Sequence, residues 1–260
     1  MWGVERRSCY AGKSHERKHG RNIGYAAKFE IVETMPGRMA EAARWSDLTG
    51  RRRFEKPWLN GHPRTIFISD MSDALCDGVD FSYLESEVVA TVMSRAGARH
   101  RWLWLTKRTA RMAEFSDRLG ERGIVWPENL WVGTSVTSQA VAKGRIEPLL
   151  KVGTQDTVRF ISLEPQFENV DLTPWLDRLD LVIQGGESGS RAEAAPFDLA
   201  WARDMREQCR ASGTAYFLKQ LGSRPVGENL EAVHDPHGGE SDEWPKDLRV
   251  RQVPVEGRRR

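Results

Sequence analysis

Charged, hydroxyl and glycine residues stand at the ends of short apolar runs along this chain. Residues 158–163 (VRFISL) stop at Glu164-Pro165, and residues 179–183 (LDLVI) stop just before Gly185-Gly186-Glu187-Ser188-Gly189. Residues 65–69 run into Asp70-Met71-Ser72-Asp73, and residues 100–105 into Thr106-Lys107-Arg108. Residues 130–132 end at Gly133-Thr134-Ser135, and residues 214–218 at Lys219-Gln220. Opposite charges in a cleft shift each other's proton affinity and suit acid/base work. Glu164, Glu187 and Asp73 are therefore expected to carry protons or position a substrate, and Lys107 and Lys219 to hold its anionic groups. Gly185 and Gly186 let a ligand approach the backbone, and Ser188 adds a hydroxyl. That turn suits the carboxylate, ribose or phosphate of a small molecule. Two other readings fit the same residues. Glu164 and Glu187 are the carboxylate pair that glycoside hydrolysis requires, which would make a metal-independent hydrolase. Alternatively, the charges form a structural ring of ion pairs.

Positioning these residues on one face is the work of parallel strands. A buried parallel strand reads as a continuous apolar, β-branched run, because helices cover the sheet. Strand centres fall near residues 66, 103, 131, 160, 182 and 216. Such gaps suit β-α-β units of roughly 30 residues. The helix before Gly97 has Leu84, Val88, Val89, Val92 and Met93 at helical spacing, behind a capping-box pattern at Ser82–Glu85. Met112, Phe115 and Leu119 give the next helix its inner face. A helix from about 138 to 150 meets Pro148, which should end or kink it. The helix over 197–212 takes Asp198 as N-cap and Gly213 as its stop, with Trp201, Met205 and Cys209 on one stripe. Residues 29–34 (FEIVET) alternate like a short strand, and Pro36 opens a helix toward Trp45. The expected fold is a parallel (β/α) barrel over 1–222, incomplete at its N-terminus, with an irregular tail over 223–260 packed by Trp244 and Leu248. In such a barrel all C-terminal strand ends open on one face.

Composition narrows the function classes. The 260 residues carry 39 Lys+Arg against 37 Asp+Glu, a net charge of +2, which argues against wholesale coating of nucleic acid. A local basic segment, Lys13 to Arg21, leaves a nucleic-acid or partner-binding role open, as does Arg51-Arg52-Arg53. No apolar run reaches the ~18 residues of a membrane helix. Three widely spaced cysteines (Cys9, Cys76, Cys209) oppose a disulfide framework and point to a reducing cytoplasm. His234-Asp235-Pro236-His237 reads as a turn rather than a metal clip. The ten tryptophans lie mostly inside apolar runs and read as core.

The motifs ISDMSD (68–73), LTKR (105–108), LWVGTSV (130–136), RFISLEP (159–165), LVIQGGESG (181–189) and FLKQLG (217–222) occur in the order of a known family. The tail WPKDLRVRQVP (244–254) resembles that family's ending. The family is found in phages, prophages and bacteria and is grouped with the radical S-adenosylmethionine barrels. The resemblance covers about residues 9–255. It implies a radical-barrel fold and a small-molecule ligand at the barrel mouth. It also implies an iron–sulfur cluster that binds and cleaves S-adenosylmethionine, held by three N-terminal cysteines, the last two spaced C-x-x-C before Tyr-Ala. Cys9-Tyr10-Ala11 matches the end of that signature, making Cys9 the implied metal ligand. Arg6 stands at the middle cysteine's position, and the first would fall before Met1.

Overall fold

The computed structural model describes residues 10–20, 25–69 and 72–254. Six parallel strands form one sheet: β1 (Arg64–Ile68), β2 (His100–Thr106), β3 (Leu130–Ser135), β4 (Arg159–Leu163), β5 (Leu181–Gly185) and β7 (Ala215–Gln220), neighbours in that order. The sheet curls into a half-barrel. Two-residue strands β6 (Phe197–Asp198) and β8 (Pro225–Val226) pair separately. Helices α1 (Tyr10–Lys18) and α2 (Arg38–Ala43) precede β1. Helical segment α3 (residues 81–93), α4 (Thr109–Glu121), α5 (Gln139–Leu149) and α6 (Leu199–Ser212) follow β1, β2, β3 and β6.

Strand parity divides the core in two. Trp102, Trp104, Val132, Ile161, Val182 and Leu218 share the main core with helix residues such as Met112, Phe115, Ile146 and Met205. The opposite, concave face gathers Leu103, Trp131, Phe160 and Leu181, with Leu105, Ile183 and Phe217 half-buried against them. Nearly every strand residue is thus wanted apolar, which is why the strands read as unbroken runs. Phe160 fills the space that a side chain at Gly133 would need.

The helices end where their residues dictate. The Asp198 side chain accepts the Ala200 N–H (2.8 Å), and Gly213 leaves α6 in the left-handed region at φ 75°. Pro148 falls one residue before the end of α5. Segment α3 departs from its pattern: residues Leu84–Val89 are π-helical, the Asp80 cap makes no side-chain bond, and Glu85 pairs with Arg122 instead of closing a capping box. The expected strand at 29–34 is absent. Lys28 and Ile31 close a turn there, and Ile31 and Val32, each about half exposed, meet no partner strand. Its apolar/polar alternation had no sheet edge to pair with.

Beyond β7 the chain folds back. Val250 accepts the Leu218 N–H, and the Gln252 N–H bonds to Tyr216, so residues 250–252 cover the edge of β7. Trp244 and Leu248 are buried, as the sequence indicated.

Candidate functional site at the strand ends

Parallel pairing carries every strand's C-terminal end to the same side of the sheet. Over β4, β5 and β7, the Lys219 ammonium lies 2.8 and 2.9 Å from the two carboxylate oxygens of Glu164. The two residues stand 55 positions apart, so only the sheet can bring them together. The Glu164 side chain is 15% exposed and that of Lys219 52%, which puts the acid inside and the base over it. Gly185 borders the acid: a Cβ there would sit 3.5 Å from the Glu164 carboxyl carbon and 3.2 Å from Gln220. A register shift at Gln184/Gly185 makes Gly185 pair with Gln220 and leaves Lys219 as the extra residue of β7.

The Gly185–Gly189 turn is tied down from several sides. Gln220 donates to the Gly186 carbonyl (3.0 Å) and to the Ser188 hydroxyl. The Glu187 carboxylate accepts the Ala195 N–H (2.9 Å), and its carbonyl accepts the Ser223 N–H (2.8 Å). Ser223 in turn bonds both backbone groups of Gly189. Gly186 is required by the protein itself, since a Cβ would meet the Leu221 carbonyl and come within 2.8 Å of Phe197.

A second cluster caps β2. Asp73 receives the Thr106 hydroxyl (2.9 and 3.0 Å), the Arg108 guanidinium (2.9 Å) and the Leu75 N–H (3.0 Å). Lys107, beside it, is exposed and bonds to nothing among the described residues. The structure thus joins Glu164, Lys219, Gly185 and, through Gln220, Gly186 and Ser188 in one contact network. Glu187 belongs to the same turn but faces Ala195. Asp73 forms its own group with Thr106 and Arg108. Asp70 and Cys9 lie outside the described residues.

A family model decides the affiliation. It matches residues 5–245 and is described as "Protein of unknown function (DUF5131)". The chain belongs to the DUF5131 family. No curated protein and no solved structure matches it. The match runs from before α1 to just past the buried Trp244, so both clusters lie inside the family's span and the edge-covering residues 250–252 lie beyond it.

An iron–sulfur cluster needs three or four thiolates. Of the three cysteines of this DUF5131 chain, Cys76 and Cys209 are described. Cys209 is fully buried on α6 in the main core, and burial pushes its thiol up to about 12. Cys76 is half-buried and unpaired. Among the described residues no three His, Cys, Asp or Glu side chains group to hold a metal. No helix among them is long and apolar enough to cross a membrane.

The basic segments are only partly solvated. On α1, Ser14 and His15 are buried, His15 meets the Ala26 carbonyl at 2.8 Å, and Lys13 pairs with Glu193 at 3.7 Å. Arg53 donates to the carbonyls of Leu48, His62 and Pro63, whereas Arg51 and Arg52 are exposed. The sequence reading overlooked Ser162, which it took as one more residue of a buried run. Its place between Phe160 and Glu164 at every second position was the available signal.

Proposed function

We propose that this DUF5131 protein is a small-molecule enzyme of the radical-barrel type that binds S-adenosylmethionine or a related nucleotide at its strand-end face. The reading rests on the Glu164–Lys219 pair, a largely buried acid under an exposed base at the C-terminal ends of β4 and β7. Ligands in parallel α/β folds sit at those ends. A ligand bearing both a cation or hydroxyl donor and an anionic group exchanges partners with the pair. Glu164 then accepts from the ligand's ammonium or ribose hydroxyl, and Lys219 turns to its carboxylate or phosphate. Ser188, steered by Gln220, offers a hydroxyl at the rim. Bound S-adenosylmethionine would supply activated sulfonium carbons. Cys209 is enclosed in the main core and Cys76 stands apart from any metal-holding group among the described residues, so binding and positioning are assigned to the residues above and no redox step.

The hydrolase reading has less support. Glu187 is engaged by the Ala195 N–H, and Glu164 is neutralised by Lys219, so neither is placed as a free acid/base pair. For a nucleic-acid role the described residues leave Arg17 and Lys18 of α1 and Arg51 and Arg52 exposed, two short basic pairs.

The test is calorimetric titration of S-adenosylmethionine and S-adenosylhomocysteine into anaerobically purified protein, with Glu164→Gln and Lys219→Met alongside. The expected outcome is binding by the wild type, weakened about tenfold or more in each variant, since bonds to charged groups contribute about 1.5–3 kcal/mol. Undiminished binding by Glu164→Gln removes the assignment.

A further inference from the structure

We infer that the concave face carries an oxyanion subsite built from Ser135, Ser162 and Lys107, which takes a phosphate or carboxylate group of the ligand. The inference deepens the nucleotide reading and rests on it only for the identity of the whole ligand. Ser135 and Ser162 are register partners on β3 and β4. By strand parity both belong to the face of Trp131, Phe160 and Leu181, not to the helix-covered side. They are 7% and 8% exposed, yet neither hydroxyl bonds to any group among the described residues. Neither oxygen is among the enclosed side-chain atoms left without a partner, so both hydroxyls open onto the concave face and are free to donate. Two side by side, in an otherwise apolar face, offer a pair of donors to one bound acceptor.

Their surroundings specify its charge. Neighbouring parallel strands lie about 4.8 Å apart, so both hydroxyls can donate to one oxyanion with bonds near 2.7 Å. Lys107 follows β2 at the level of Ser135, continuing the parity of Leu103 and Leu105, and carries a cation without a partner among the described residues. Glu164, two residues beyond Ser162 on the same parity, is already balanced by Lys219. The Arg145 guanidinium donates to the Ser135 carbonyl (2.6 Å), so the local excess is positive, from Lys107 and Arg145 together. Half-buried Leu105, Ile183 and Phe217 give the face beside the subsite an apolar lining.

The probes are inorganic phosphate and sodium acetate, titrated separately into the full chain at constant ionic strength and followed by amide chemical shifts. The wild type should bind at least one, and the stronger of the two identifies phosphate or carboxylate. Ser135→Ala and Ser162→Ala should each weaken that binding about tenfold, and Lys107→Ala similarly. The thermal midpoint of the double serine variant should stay level, because neither hydroxyl bonds to any group of the described protein. A purely structural role predicts the reverse, a lower midpoint with unchanged binding. Failure of both anions to bind at tens of millimolar, or unchanged affinity in the double variant or in Lys107→Ala, overturns the subsite. S-adenosylmethionine titrated into the same samples separates the two proposals. If it does not bind while anion binding follows the serines, the nucleotide reading falls and the subsite stands.

Discussion

At Gly186 the strand-end turn has no room for a side chain, because the Leu221 carbonyl and Phe197 fill the space. Gly186→Ala should cost about 1–3 kcal/mol, the range for forcing atoms into a packed site, read as a lower urea midpoint with unchanged slope. A stability equal to the wild type's would mean that the turn yields freely, contrary to its bonds from Gln220 and Ser223. His100 shows how burial sets a pH response. It is 1% exposed, its Nε2 meets the Ala43 carbonyl at 3.1 Å, and its Nδ1 has no partner. Burial is the main cause holding its pKa below the ordinary histidine value, so the folded protein keeps it neutral where the unfolded chain protonates it. The unfolded state then binds more protons, and stability is lost as pH falls below about 6.5 toward the depressed folded value. Urea midpoints measured between pH 7.5 and 5 should decline, and His100→Gln should flatten the decline. An identical slope in that variant would assign the effect to other groups.

Among the elements, α6 gives the cleanest case of a local signal that tertiary structure respects. Asp198 caps it through the Ala200 N–H, and Asp198→Ala should lower stability by about 1 kcal/mol, measured by thermal or urea unfolding. A loss under a few tenths would show that the flanking β6–β8 pair alone fixes the helix start. The central strands β2 to β5 were legible because both of their faces are covered, so even the polar His100 and Arg101 that open HRWLWL are buried and the run after them is unbroken. The segment 29–34 misled for the complementary reason. Alternation predicts a face but not the neighbour needed to pair its backbone, and here that neighbour is missing. The π-helical turn at Leu84–Val89 also left no mark in the spacing of Leu84, Val88 and Val89, all of which are buried as a regular helix would bury them. Strand ends gave away Glu164 and Lys219 individually. Their contact depended on strand order, which places β7 beside β5 and leaves the short β6 out of the sheet, and nothing local encodes that.

For the molecule as a whole, the tail past Gly222 closes one side of the half-barrel. Strand β7 would otherwise present an unpaired edge, and such edges recruit other chains. Residues 250–252 occupy it through the Leu218–Val250 and Gln252–Tyr216 bonds. Arg251 lies between rings, 4.4 Å from the centroid of Trp58, 4.8 Å from that of Trp244 and 5.8 Å from that of Phe217. Trp244 anchors the arrangement: it is 1% exposed and donates to the Gly238 carbonyl at 3.0 Å. Removing its indole deletes a large buried surface and a face against which Arg251 is held, so Trp244→Ala should cost about 3–5 kcal/mol. The loss should be local first. Limited proteolysis should cut within 223–254 faster than in the wild type, and light scattering should register self-association as the β7 edge opens. Phe54→Ala serves as the control, since Phe54 is 79% exposed and contributes no core. Should Trp244→Ala lose stability without new cleavage in the tail or added association, Trp244 would be ordinary core, and the edge would be guarded by the backbone bonds of residues 250–252 alone.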